Sequence, residues 1–537
     1  MDGARVARGA VAGVWLLFEL ATGSWLFGQI NQKTLDRNFE PVVMTGSNFS
    51  QFSTVPLDEL FLYAFDVQRE AWSQIPYQID ERDATGDYFA VDDIPGLDDN
   101  DELVFMARDA GDRAVASWIP DQNSISFVRY EIEVVDPLTG NKGWVYLYRS
   151  QALKPDPNVT SYMTYVASSG ANVGEDTVRT SFYELANLKN GFPSDLSITP
   201  AGGGTGQDLL DVLKFQANTS IADINENDIT ADVVDVRAGQ VRVLRRLFGK
   251  LKVNLPFPLP DINVDFNTPP AIYYPFSLSI DVDVPDLPVS VSSARMSIDL
   301  NANATGMQFV SANNPQPGFI IDGKVDSPNS AIDDLLPDNN WIVITGTPGT
   351  IVHFFPLAPT VGGQRQLYYR DDSSQDNKDT GDKKSFGDTG ILLTNDVASP
   401  FRLSYQGYFL AGDQSTDIGT QLAQFDQNPL QVQSTAQDFG TVPVELVSFT
   451  AAADGNDVKL AWVTATETDN FGFDIERRGE SEATWKKVGF VAGKGTTANP
   501  SRYSFVDRAL PPGKYDYRLK QIDFDGTYEY TNAIEVT

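Results

Sequence analysis

The sequence predicts an all-β protein: a large β-sandwich-like N-terminal region followed by a second, smaller β-sandwich. Three observations carry that expectation. Runs of alternating apolar and polar residues recur along the chain, turn compositions rich in Gly, Pro, Asn and Asp separate them, and helical periodicity is confined to two short stretches. With 537 residues, 41% hydrophobic and 11% aromatic, the chain has material for several cores.

The first element is an export signal over residues 1–28. Arg5 and Arg8 precede an apolar run from Val11 to Phe18, and Leu26 and Gly28 sit at −3 and −1 of a cleavage before Gln29. No later stretch is apolar over the length of a membrane-crossing helix, so no transmembrane span is expected after signal removal. A first β domain is expected over 29–153. Within it, Arg129 to Asp136 and Gly143 to Ser150 alternate around Pro137-Leu138-Thr139-Gly140-Asn141-Lys142 and read as a hairpin. The proline-punctuated stretch Lys154 to Asn158 separates it from a large β-sandwich-like domain over 158–430.

In that second domain, Gly239 to Leu255 reads as a pair of strands. Phe276 to Val284, Ser293 to Ala302 and Asn339 to Leu357 read as further strands. Gly206 to Ala217 and Ser330 to Pro337 are the two helix candidates. Asn254 to Pro270 is expected as an extended proline-rich loop, and Arg370 to Gly390 as a polar, mobile loop. Residues 431–442 read as a linker, and a terminal module occupies 443–537.

The charge balance bounds the partners. Lys and Arg number 40 against 73 Asp and Glu, a net charge of −33. Nucleic acid and anionic membrane would be repelled by such a chain. There is no cysteine, which excludes disulfides, thiolate metal sites and thiol catalysis. Histidine chemistry would rest on His353 alone.

The terminal module has regular strand-and-turn spacing, with Trp462 as a core plug and Tyr515, Tyr517 and Leu519 alternating on a later strand. Its stretches "VELVSFTAAADGNDVKLAWVTATETDNFGFDIERR", "GFVAGKGTT", "YSFVD" and "PPGKYDYRLKQIDFDGTYEYTNAIEV" resemble the fibronectin-III-like module of type IX secretion system substrates. The resemblance covers Val442–Val536. In that family the module precedes a C-terminal sorting domain. The resemblance implies a fibronectin-III/immunoglobulin-like fold and an extracellular or outer cell-surface location. It implies no chemistry, and the module is expected to be a folded spacer.

The most unusual stretch is Asp80 to Asp112, where Asp92, Asp93, Asp98, Asp99 and Asp101 crowd around Pro95-Gly96. Hard oxygen ligands on a flexible acidic loop suit Ca2+, which makes these five residues a candidate calcium site. A solvated acidic turn is the competing reading, and the spacing is not that of an EF-hand. Asp223 to Thr230 begins like a calcium loop but lacks its glycine and final glutamate, so it reads as a turn. Gly489 to Thr497 is one residue short of a phosphate-binding loop, and Ala201 to Gly206 reads as a flexible loop. His353 is expected to be a packed core residue. Arg242, Arg245 and Arg246 are candidates to grip an anionic sugar, although pairing with neighbouring acids accounts for them as well. Trp72, Trp118, Trp144 and Trp341 suit either sugar stacking or a β core.

No catalytic or cofactor-binding residue emerges. The sequence points to a secreted or cell-surface structural or binding protein of bacteria, its partners an extracellular glycan or other surface proteins. The alternative is a carbohydrate-active enzyme, a glycoside hydrolase or polysaccharide lyase with a large β-sandwich. A pocket that joins Arg, Tyr and two carboxylates in the large domain would favour the enzyme.

Overall fold

Alternation of buried and exposed side chains builds antiparallel sheets throughout the computed structural model. It describes residues 32–537 apart from 92–93, 115–116, 169–174, 189–190, 256–260, 285, 287–288, 314–317, 327–339, 357–362, 398–399, 439–445, 481, 483, 498 and 524–527. The export signal, the Ser330 to Pro337 helix candidate and the junction before the terminal module lie outside the described residues.

The chain is all-β. In the first domain, the predicted hairpin forms from Arg129–Val135 and Lys142–Arg149, paired in register Tyr130 to Leu147 and Ile132 to Val145. Its sheet has five strands, and one edge is Gln431–Gln437, which pairs with Arg129–Val135. Residues 431–442 therefore do not form a free linker: their first seven residues close the first domain. A three-stranded sheet, Pro41–Thr45, Glu102–Met106 and Tyr77–Asp80, shares a core with it around Phe49, Leu62, Phe105, Ile132 and Leu147.

The large domain shares one core among a five-stranded, a ten-stranded and a four-stranded sheet, joined through Leu185, Leu213, Met296, Ile344, Ile391 and Leu403. The Gly206 to Ala217 helix candidate is instead the strand Leu210–Thr219, paired with Val291–Leu300. Gly239 to Leu255 gives one long strand, Val243–Val253, rather than two. The proline-rich excursion after it contains Ile262–Asn267, which pairs back onto that strand. The polar Arg370 to Gly390 stretch carries the end of Gln364–Asp372 and the start of Ser385–Val397, and its turn is tied down by hydrogen bonds such as Asp376 N–H to the Lys383 carbonyl, 2.9 Å. One α-helix, Ile418–Gln427, escaped the sequence reading; it packs Ile418 and Leu422 against Trp341 and Val343.

The terminal module is a sandwich of Leu446–Asp454, Asp457–Thr464 and Ser501–Asp507 against a sheet built on Glu467–Gly479 and Tyr515–Asp523. Trp462, Phe473, Tyr517 and Leu519 are all buried in its core. The strand order is that of the fibronectin-III/immunoglobulin-like class.

Candidate functional site

A cleft of 620 Å³ opens where the first domain meets the large one. One wall is the loop Thr85-Gly86-Asp87-Tyr88. The other is made by Asp235, Arg246 and Phe248, from paired strands, with Thr268, Pro269 and Pro270.

Local chemistry shapes the loop. Asp83 turns back on itself, its Oδ1 accepting the N–H groups of Thr85 at 2.9 Å and Asp87 at 2.8 Å and the Thr85 hydroxyl at 2.7 Å. That Asx-type turn presents Asp87 and Tyr88 to the cleft. Arginines hold the loop from below. Arg82 and Arg242 lie over the Tyr88 ring at 4.8 and 5.2 Å, and Arg246 lies over Phe89 at 4.7 Å.

Arg246 links the two walls. Its Nη1 donates to both Asp87 oxygens at 3.0 and 2.8 Å, and its Nε donates to Asp235 Oδ2 at 3.0 Å. The three side chains remain reachable, at 27% exposure for Arg246, 35% for Asp87 and 33% for Asp235. The Phe89 N–H and the Arg246 guanidinium hold the Asp87 carboxyl below the usual carboxylate range, so it is ionised at neutral pH. Burial pushes the Tyr88 hydroxyl up to about 12, and it donates to Glu102 Oε2 at 2.9 Å. The cleft thus offers carboxylate acceptors with lone pairs to spare, a forked cation already matched by two anions, and faces of Phe and Pro.

A scan against protein-family models and a search of curated proteins found no match for this chain. Among solved structures it is similar to an alpha-mannosidase from Enterococcus faecalis V583, with TM-score 0.38 and 9% identity over 81% of this chain and 49% of that one. It is similar also to a protein in glycosyl hydrolase family 38 from Enterococcus faecalis, with TM-score 0.39 and 9% identity over 82% of this chain and 53% of that one. The chain spans about half the length of each.

Of the candidate calcium ligands, Asp92 and Asp93 lie outside the described residues. Asp99 is exposed, while Asp98 and Asp101 are buried at 7% and 0%. The two buried carboxylates serve the backbone. Asp98 Oδ1 accepts the Asn100 N–H at 3.0 Å, and Asp101 accepts the N–H groups of Arg82 and Asp98 at 3.0 and 2.9 Å. Among the described residues no three His, Cys, Asp or Glu side chains converge as a metal would need.

The other candidates separate cleanly. Arg242 is buried against Asp80 and Glu102, both at 2.7 Å, and Arg245 against Asp176 at 2.6 Å. Arg246 lines the cleft between the domains, whereas Arg245 borders a separate, mostly apolar pocket with Phe192, Leu213 and Tyr273. His353 is fully buried with its Nδ1 3.0 Å from the Tyr405 hydroxyl, and burial lowers its pKa to about 3, so it is a neutral core residue. Trp118, Trp144 and Trp341 are core residues, and Trp72 packs edge-on to Tyr146 with ring centroids 5.0 Å apart. Asp223 to Thr230 contains a capped turn, Glu226–Asp228, and Gly489 to Thr497 lies in the strand Lys486–Thr497.

Sequence reasoning missed Asp87, Tyr88 and Asp235 as site residues. The one available signal was the Asp83-Ala84-Thr85-Gly86-Asp87 turn followed by two aromatics, and it reads equally as an ordinary loop.

Proposed function

We propose that this chain is an exported, carbohydrate-binding protein whose cleft takes a neutral, polyhydroxylated ligand. The observation that carries the reading is the convergence of Arg246, Tyr88, Asp87 and Asp235 on one accessible cleft. A sugar presents hydroxyl donors to ionised carboxylates and an apolar C–H face to Phe248, Pro269 and Pro270. An anionic sugar fits less well, because Arg246 is already matched by two carboxylates and the chain is strongly acidic.

Export through the N-terminal signal, a place at the cell surface and the type IX route rest on the sequence features of residues 1–28 and of the terminal module. In this reading the module spaces the binding domains from whatever retains them.

The second reading is a carbohydrate-active enzyme, favoured by the joining of Arg246, Tyr88 and two carboxylates on one cleft, the combination expected of an enzyme. Hydrolysis requires a carboxylic acid that keeps its proton near neutral pH. Asp87 is held ionised, so in a glycoside hydrolase that role would have to fall to another group, while a polysaccharide lyase would not need it.

A glycan array probed with the full chain tests both readings. Binding to a neutral glycan is expected, with at least a tenfold loss in Asp235→Asn and Phe248→Ala at unchanged melting temperature. New reducing ends on incubation with the bound glycan would move the assignment to the enzyme. No glycan bound, or variants that bind like the parent, would overturn the cleft as the site.

A further inference from the structure

The outward face of the five-stranded sheet in the large domain carries a second cluster, apart from the cleft. Lys214 lies on Leu210–Thr219 opposite Ser297, and Asp299 lies opposite Val212. The two are diagonal neighbours on one face of an antiparallel pair, within reach for long side chains. Lys214 Nζ is 2.6 Å from Asp299 Oδ2, 2.8 Å from Asp379 Oδ1 and 3.9 Å from Asp388 Oδ2.

The cluster is dry. Lys214, Asp299 and Asp388 are each 0% exposed. The turn between Gln364–Asp372 and Ser385–Val397 covers it, and Asp379 reaches down from that turn to the lysine. Both oxygens of Asp388, like both of Asp299, are buried and accept no hydrogen bond. The partners of Asp388 are charges at longer range, Lys214 and Arg295, the latter 3.6 Å away. Burial and the neighbouring Asp388 push the Asp299 carboxyl well above the usual range, so it tends to keep a proton. Burial works against the Lys214 charge, but Asp388 and Asp299 outweigh it and hold the ammonium protonated. An amine that is to react must therefore pass a proton on; Asp379 Oδ1 is nearer at 2.8 Å and reaches in from the covering turn, while Asp388, at 3.9 Å, is the fully buried carboxylate whose oxygens accept no hydrogen bond.

We propose that Lys214 and Asp299 are partners in an intramolecular amide bond, formed by condensation of Nζ with Cγ while Asp388 receives the lysine proton. The step balances without any co-reactant. The ammonium gives one proton to Asp388, and the free amine attacks Cγ of the protonated Asp299. The tetrahedral adduct moves a second nitrogen proton to the leaving hydroxyl and expels water. The Asp388 proton departs to solvent, so the sum is ammonium plus carboxylic acid going to amide, water and a proton. Two physical features favour it. The reacting atoms are already held together, which raises effective concentration by orders of magnitude. The neutral amide also removes the buried Lys214 ammonium, whose desolvation is costly.

Mass spectrometry of the purified full chain tests this. The segments containing Lys214 and Asp299 are expected to appear after digestion as one branched peptide, lighter than the sum of its linear parts by one water, about 18 Da. Fragmentation should place the branch at those two residues. Lys214→Arg keeps the positive charge but should give only linear peptides. Asp388→Asn keeps the shape and should lose most of the branched species. Free linear peptides with intact Lys214 and Asp299 from the folded parent chain would overturn the proposal, whatever the variants do. A branched yield in Asp388→Asn equal to the parent would overturn the role of Asp388.

Discussion

Glu467 lies in a stretch of the terminal module that reads as a polar turn, yet it has no exposed surface. Burial alone would raise its pKa, but the Tyr503 hydroxyl, the Lys494 N–H, the Thr464 hydroxyl and the Asn470 amide all donate to it and hold it below 4.5. A carboxyl depressed in the folded state adds stability above its unfolded pKa and loses it as pH falls through the folded value. Glu467→Gln is expected to cost about 1.5–3 kcal/mol at pH 7, read from urea unfolding of the module. The gap between parent and variant should narrow as pH drops below 4.5. A gap independent of pH would contradict the charge as its cause. The acidic stretch invites a parallel test. Asp98 and Asp101 already spend oxygens on backbone N–H groups, so calcium is expected to raise the melting temperature no more than sodium at matched ionic strength. A calcium-specific rise that Asp99→Asn removes would restore the metal site.

At the scale of elements, the strand Gln431–Gln437 shows where sequence reading works and where it stops. Its residues Gln431-Val432-Gln433-Ser434-Thr435-Ala436-Gln437 alternate only weakly, because an edge strand packs little: Val432 alone joins the hydrophobic core. It was legible as polar chain, not as strand. The Leu210–Thr219 strand fails for another reason. Its start carries two adjacent apolar pairs three residues apart, Leu209-Leu210 and Val212-Leu213, across an irregularity in the pairing, and that spacing imitates a helix; from Leu213 on, Leu213, Phe215 and Ala217 alternate into the core. The hairpin of Arg129–Val135 with Lys142–Arg149 is covered on both faces, yet it was readable because Arg129, Glu131 and Glu133 still alternate with Tyr130, Ile132 and Val134, and so was the core of the terminal module. The edge strand also completes a side-chain network, since Gln437 Oε1 accepts from the fully buried Arg129 at 2.7 Å. Truncation after residue 430 is therefore expected to unfold or strongly destabilise the first domain, whereas truncation after residue 438 should leave it intact. Equal melting of the two truncated chains, followed by near-ultraviolet circular dichroism, would show that the strand is dispensable.

At the scale of the whole molecule, the cleft exists because two domains are fixed to each other, which no single segment announces. Asp87 and Arg246 are 159 residues apart in sequence. The junction beneath them is a buried polar network. Arg242, from the large domain, bonds Asp80 and Glu102 of the first domain, and Gln78 Oε1 accepts the N–H groups of Val241 and Arg242 at 3.0 and 2.8 Å. A Cβ at Gly239 would come within 2.2 Å of the Gln78 side chain, so glycine permits this close approach. Removing one member of a buried ion network strands the others without a countercharge, which costs about 3–5 kcal/mol, far more than the net worth of the intact set. Arg242→Met is accordingly expected to lower stability by that amount and to separate the unfolding of the two domains in calorimetry, turning one transition into two. It should also weaken glycan binding although Arg242 is buried away from solvent, because the Thr85 to Tyr88 loop would lose its seat. Asp80→Asn together with Glu102→Gln in the Arg242→Met background removes the stranded charges and should recover part of the loss. If Arg242→Met melts in a single transition at the parent temperature, the two domains are held by their apolar contacts and the network is incidental to the cleft.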